Sequence, residues 1–196
     1  MLESGILTST NALTTLNKLQ QIVCGHVKDD EGNITTIPNN RLTELEAAIS
    51  QIEFNTDRKV IIWCNFQKDV EMVYSLLGDK AVKYYGKSND LEREQALLAF
   101  DNDPTCRFFI GTPHCGGKGL TLNKANYVIY YSNSFKLEDR LQSEDRCHRI
   151  GQTSNVTYID LMSPDTVDEK IIKALKDKQS LADRILQSVQ SFEDFV

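Results

Sequence analysis

Apolar residues change their spacing along this chain, and the changes divide it into elements. Leu13, Leu16, Leu19 and Val23 recur at the repeat of an amphipathic helix, and Gly25 supplies a stop. A polar stretch from His26 to Asn40 follows, with a Glu31-Gly32-Asn33 centre suited to a tight turn between Val27 and Ile34. It predicts a loop or a short hairpin. Leu42, Leu45, Ala48 and Ile49 mark a second helix.

Beyond this the rhythm becomes an alternation of short apolar runs and helical repeats. Val60-Ile61-Ile62-Trp63-Cys64 fits a buried strand, with a helix through Val70, Val73, Leu76 and Leu77. Residues 81–85 fit a strand, and Asn89 to Phe100 a helix. Further strands are predicted at 107–110, 127–131 and 156–161, with a helix before the last of them. A final helical stretch, 166–190, begins Thr166-Val167-Asp168-Glu169, the pattern of a capping box. Strands alternating with helices predict an α/β fold with a mostly parallel sheet covered on both faces. Ligands on such sheets sit beyond the carboxyl ends of strands, here the loops after Cys64, Ile110 and Tyr131.

Composition changes this picture little. The 196 residues suffice for one α/β domain with a core, and 40% hydrophobic with 26% charged residues is ordinary for a globular protein. No apolar run reaches membrane-spanning length, and no secretory signal is evident at the start. Five scattered cysteines, an odd number without a Cys-x-x-Cys pair, fit free thiols in a reducing compartment better than disulfides or a zinc site. The net charge of −6 argues against bulk attraction to nucleic acid but leaves room for a local basic strip.

Candidate chemistry concentrates in residues 142–152, Gln-Ser-Glu-Asp-Arg-Cys-His-Arg-Ile-Gly-Gln. Arg146 and Arg149 stand three apart, on one face if the segment is helical. Guanidinium forks suit phosphate oxygens, so the pair points to a polyphosphate site. The plain alternative is ion pairing with Glu138, Asp139, Glu144 or Asp145. Residues 111–121, Gly-Thr-Pro-His-Cys-Gly-Gly-Lys-Gly-Leu-Thr, suggest a phosphate loop but break the Walker A pattern, because Gly119 follows Lys118. The alternative there is a sharp strand-to-helix turn.

The 142–152 string closely resembles motif VI of superfamily-two DNA helicases and translocases, in its Swi/Snf form, at Gln142, Asp145, Arg146, His148, Arg149, Ile150, Gly151 and Gln152. The 111–129 region resembles motif V of the same family through Gly116, Gly117, Gly119, Leu120, Leu122, Ala125, Val128 and Ile129. Residues 59–66 resemble motif IV, and Gly86, Arg93 and Phe100 resemble motif IVa. His114-Cys115 departs from the Arg-Ala common in motif V, and Ser134-Phe135-Lys136-Leu137 stands where many members have Trp-Trp-Asn-Pro. The second departure suggests a phage or plasmid source.

The resemblance implies a RecA-like three-layer fold, with residues 1–40 as an N-terminal arm and 41–196 as the lobe with a C-terminal brace helix. It implies that Arg146 and Arg149 are arginine fingers and that Gly117, Gly119, Gln142, Asp145 and Gln152 adjoin the nucleotide. Asn65, Gly86, Thr112, His114 and Gly116 would touch the backbone of DNA, most simply double-stranded. ATP and Mg2+ would be held mainly by a first lobe, because this sequence has neither a Walker A lysine nor the paired magnesium carboxylates. The chain would therefore be the second lobe alone, predicted inactive by itself, with that first lobe as partner. No metal ligands of its own and no membrane are implied. The setting would be a bacterial or phage-infected cytoplasm, or a nucleus if eukaryotic. The competing class is a non-catalytic module gripping DNA or a protein on the same fold.

Overall fold

The central strand explains the architecture. In the computed structural model, which describes residues 12–115, 120–147 and 155–178, strand β3 (Lys59–Trp63) lies between β5 (Phe108–Gly111) and β6 (Ala125–Tyr130). Both pairings are parallel. Strands β4 (Ala81–Tyr84) and β7 (Thr157–Asp160) complete a five-stranded sheet in the order β4-β5-β3-β6-β7, parallel throughout. A strand so placed must be apolar on both faces, and Val60, Ile61, Ile62 and Trp63 are all fully enclosed.

Alternate residues of β3 divide between two cores. Val60 and Ile62 face helices α2 (Arg41–Asn55) and α3 (Gln67–Leu77), packing with Leu45, Ile49, Val70 and Val73. Ile61 and Trp63 face the opposite side, with Phe100 of α4 (Asp90–Asn102), Phe109, Leu122 and Cys147. Connections from neighbouring strands β3 and β5 thus leave on opposite faces, which opens a crevice at their carboxyl ends.

Helix ends follow local chemistry. Gly78, at φ 56°, stops α3 where a side chain would be strained. Asn89 and Glu92 form a reciprocal capping box at the start of α4, a pattern that Asn-x-x-Glu announces in the sequence. At the start of the last helix, α6 (helical over 167–178), the expected box is displaced by one residue. Thr166 Oγ1 accepts from the Asp168 amide at 3.2 Å and donates to the Ser163 carbonyl, while Glu169 reaches back to the Asp165 amide. Residues 179–190 of the predicted helix lie outside the described residues.

The N-terminal arm is helix α1 (Ala12–Val23) and an antiparallel hairpin of β1 (His26–Lys28) and β2 (Ile34–Thr36). Its turn is closed by Asp29, whose carboxylate accepts from the Glu31 and Asn33 amides. Helix α5 (Leu137–Asp145) precedes β7.

Candidate functional site

Three loops converge at the carboxyl ends of β3, β4 and β5. A Cβ on Gly86 would stand 3.1 Å from the Gln67 amide nitrogen and 3.7 Å from the Cys115 sulfur, so side chains from both neighbouring loops lie across this glycine. Gly111 is more constrained: a Cβ there would meet the Tyr84 carbonyl at 2.8 Å and the Trp63 ring at 3.1 Å. The backbone can pass between strand and indole only without a side chain. Below it Trp63, Tyr84 and Phe100 surround Phe109, with ring centroids 5.3–6.1 Å apart.

Thr112, expected at the surface of this cleft, is only 4% exposed, and its hydroxyl has no hydrogen-bond partner. The Trp63 indole nitrogen is equally enclosed and unpartnered. Unsatisfied buried donors are uncommon and costly, and two of them flank the same crevice. His114 is exposed and turns to Asp139, Nδ1 to Oδ1 at 3.1 Å. A hydrogen bond thereby joins the loop after β5 to α5.

The helix expected to carry the arginines stops one residue short of Arg146, and Arg149 lies outside the described residues. α5 ends at Asp145, and Arg146 begins a turn closed by the Cys147 amide donating to the Glu144 carbonyl at 3.0 Å. The Arg146 carbonyl accepts from the Leu122 amide at 2.9 Å. Its side chain turns inward. The guanidinium donates to the Pro113 carbonyl at 3.0 Å and stands 5.5 Å from the centroid of the Trp63 ring. Burial pulls its pKa below the usual arginine value, yet arginine stays charged at neutral pH. The two segments singled out in the sequence are therefore bonded to each other at Pro113–Arg146 and Leu122–Arg146. Cys147 beside them is buried, its thiol pushed up to about 12, and is inert as a nucleophile.

Gln142 and Asp145 lie exposed on α5, Gln142 donating to Glu138 at 3.0 Å. Gly116, Gly117, Gly119, His148, Arg149, Gly151 and Gln152 fall outside the described residues. Among the described residues no group of His, Cys, Asp and Glu could hold a metal ion, and no helix is long and apolar enough to cross a membrane. A guanidinium at a crevice suits the anionic end of a nucleotide; magnesium would need carboxylates from elsewhere.

Asn65, expected to face DNA, is half-buried and contacts the arm. Its side-chain amide donates to Gln20 Oε1 at 3.1 Å, and its main-chain amide donates to Ser132 Oγ at 2.7 Å. Ser132 donates in turn to Asp69 Oδ2 at 2.6 Å, and Asp69 Oδ1 lies 3.3 Å from His26 Nδ1. Burial drives both members of that last pair toward neutrality, raising the Asp69 carboxyl to about 7 and lowering the His26 imidazole to about 4. The contact is thus no ordinary salt bridge. Arg41 completes the junction, donating to the Tyr131 and Leu161 carbonyls and to Asp168, each at 2.7 Å. Gln20, Arg41 and Asp69 were not legible as site residues, since a buried polar group is recognised only by partners distant in sequence.

Comparison with known proteins fits this geometry. The family model described as the helicase conserved C-terminal domain matches residues 41–151. The chain is 34% identical over 119 residues to the lymphoid-specific helicase of Homo sapiens, covering 60% of this chain and 14% of that protein. It is 31% identical over 156 residues to the ATP-dependent helicase FUN30 of Saccharomyces cerevisiae, covering 78% of this chain and 14% of that protein. The chain thus spans a small part of these relatives. Among solved structures, the C-terminal part of the Fun30 ATPase domain superposes with a TM-score of 0.62 at 30% identity, over 71% of this chain and 48% of that one. The Sulfolobus solfataricus SWI2/SNF2 ATPase core in complex with double-stranded DNA gives a TM-score of 0.68 at 28% identity, over 92% of this chain and 38% of that one.

Proposed function

The chain belongs to the family of helicase conserved C-terminal domains, of the Swi/Snf type, and on that footing we propose that it is the second motor lobe of an ATP-dependent DNA translocase or helicase. The observation that carries this proposal is the direct bonding of the Arg146 turn to the loop after β5, through the Pro113 carbonyl and the Leu122 amide. A motor must link a nucleotide-facing arginine to a DNA-facing loop. Here the link is two hydrogen bonds long.

In this proposal Arg146 and Arg149 meet the phosphates of ATP, with Gln142, Asp145, Gln152, Gly117 and Gly119 around them. Arg146 rests on Trp63 and Pro113 until phosphate oxygens compete for its guanidinium. ATP and Mg2+ are held mainly by a first lobe, and bound magnesium would neutralise charge on the transferring phosphoryl group. Thr112, His114, Gly116 and Gly86 form the DNA side, where hydroxyls and main-chain amides hold backbone phosphates without reading sequence. Asn65, half-buried with its side-chain amide donating to the arm, belongs to the same side. Residues 1–40 act as an arm docked on a lobe of residues 41–196 that closes with a brace helix. The solved relative with bound double-stranded DNA supports duplex as the partner.

The test compares this chain alone with a two-lobed protein that contains it. The chain alone should release no phosphate from ATP above a buffer blank, and the two-lobed protein should do so with stimulation by duplex DNA. Magnesium-dependent turnover by the purified chain, lost on Arg149→Ala, would overturn the assignment of ATP to a first lobe. A two-lobed protein without turnover that binds DNA tightly and independently of ATP would identify a non-catalytic module.

A further inference from the structure

We propose that Gln20 of the N-terminal arm and Arg140 of α5 are positioning residues that set where Arg146 stands. Helix α5 has nine residues, Leu-Glu-Asp-Arg-Leu-Gln-Ser-Glu-Asp, of which Ser143 alone is buried. A helix so short and polar is not stable by itself, and its apolar anchoring is confined to its first residue, Leu137, packed against Val167, Ile171 and Leu175. Its placement depends on specific side-chain contacts.

Those contacts form a continuous line. Gln20 is wholly buried, accepting from the Asn65 side chain at 3.1 Å and donating from Nε2 to the Asn133 carbonyl at 2.6 Å. One amide therefore bridges the loops after β3 and β6. The Asn133 side chain donates to Asp160 Oδ1 at 2.8 Å and accepts from Arg140 Nη1 at 3.1 Å. Arg140 also donates to Asp160 and to Glu144, and its guanidinium lies 3.6 Å from the centroid of the Tyr130 ring. The Tyr130 hydroxyl holds Ser143 Oγ at 2.7 Å. Tyr130 thus fixes α5 by its face at Arg140 and by its hydroxyl at Ser143. Arg146 follows the last helical residue directly, so a change in the pitch or rotation of α5 is delivered to its guanidinium.

A lone surface ion pair would carry little of this weight. Arg140 differs in that its side chain is 14% exposed, stacked, and engaged with three acceptor residues at once. The arm is consequently part of the device that aims the arginine, rather than an appendage to the lobe.

The protein's one tryptophan, Trp63, lies beneath Arg146 and reports on this geometry without any nucleotide. The variants are Arg140→Gln and, as a second probe that leaves the buried guanidinium in place, Gln20→Ala, with Arg146→Ala as reference. In the chain itself, at temperatures where circular dichroism shows it folded, both variants should move Trp63 emission toward that of Arg146→Ala. The second readout rests on the motor function proposed above. In a two-lobed protein both variants should lower kcat for ATP about tenfold to a hundredfold, the cost of a small misplacement at the reacting centre, with little change in KM. Wild-type emission and near-normal kcat in the folded variants would overturn the positioning role. If Arg146→Ala and Arg149→Ala themselves retain full turnover, the motor assignment has failed instead, and the emission of the two variants still decides whether Gln20 and Arg140 place Arg146.

Discussion

Arg41 and Asp168 stand 127 residues apart in sequence and meet at 2.7 Å, with both side chains almost wholly removed from solvent. Arg41 opens α2, and Asp168 lies in the first turn of α6. The other arms of the guanidinium hold the carbonyls that end β6 and follow β7, and Asp168 also accepts from the Ser163 amide at 3.1 Å. One planar fork therefore joins four parts of the lobe.

Arg41→Ala should lower unfolding free energy by about 3–5 kcal/mol, the cost of leaving a buried charge and its acceptors without a partner. Arg41→Lys should recover only part of this, because a single ammonium cannot match three acceptors in a plane. Urea denaturation of the three proteins measures both effects. A loss no larger than that of a surface substitution would mean that water replaces the fork.

Gly111→Ala should destabilise by about 1–3 kcal/mol through overpacking. The new methyl meets main chain at Tyr84 and a locked indole at Trp63, neither of which can swing aside. Gly86→Ala meets only the flexible end of Gln67 at 3.1 Å and should cost far less. Thermal melts of the two variants, compared side by side, check the contrast.

The Asp69–His26 contact predicts a particular pH dependence. With the Asp69 carboxyl raised from 3.8 to about 7, the folded chain binds more protons than the unfolded between those values. Its contribution is complete below the lower value and lost as pH rises through the upper. His26, lowered from 6.5 to about 4, acts oppositely, its contribution growing as pH rises across that interval. The two largely offset. Asp69→Asn removes the first alone, so the variant's stability should climb with pH through the His26 interval more steeply than that of the wild type. Identical profiles in thermal melts would show that Asp69 does not titrate there.

In a two-lobed protein, Arg149→Ala and Arg146→Ala should cut ATP turnover by about three to five orders of magnitude while leaving DNA affinity nearly intact. Thr112→Ala should reduce DNA-stimulated turnover more than basal turnover. Binding of DNA by this lobe alone should be weak, since the phosphate contacts are a handful, and strongly salt-dependent, since it rests on counterion release. Steady-state kinetics and a salt titration check the set. Tight binding to one sequence, indifferent to salt, would contradict it.

The sheet was legible because its strands are short apolar runs set between helical repeats, as Val60 to Trp63 and Phe108 to Ile110 show. The hairpin of the arm was legible from its turn residues. The end of α5 was not, because Asp145 to Ile150 keep a helical composition and the Arg146 turn is held by Leu122, distant in sequence. The burial of Thr112 and the capture of Asn65 were hidden for the same reason. Each depends on a group that only the fold brings near: Tyr84 for the first, whose carbonyl accepts the Thr112 amide at 3.3 Å, and Gln20 for the second.

The strand order has a consequence for how the chain is made. Of the five-stranded sheet, β3 and β4 emerge first from the ribosome but are not neighbours, since β5 separates them. Every ladder of the five-stranded sheet waits for β5 or β6. Until Phe108 is synthesised, the Val60-Ile61-Ile62-Trp63 run has helices available but no strand to pair with. Parallel sheets of high sequence separation form slowly for this reason, and an unpaired apolar segment during that delay invites association between nascent chains. The run is immediately preceded by Arg58 and Lys59. Charges in those positions act as gatekeepers against such association, so the two cations guard the central strand while it waits for a partner.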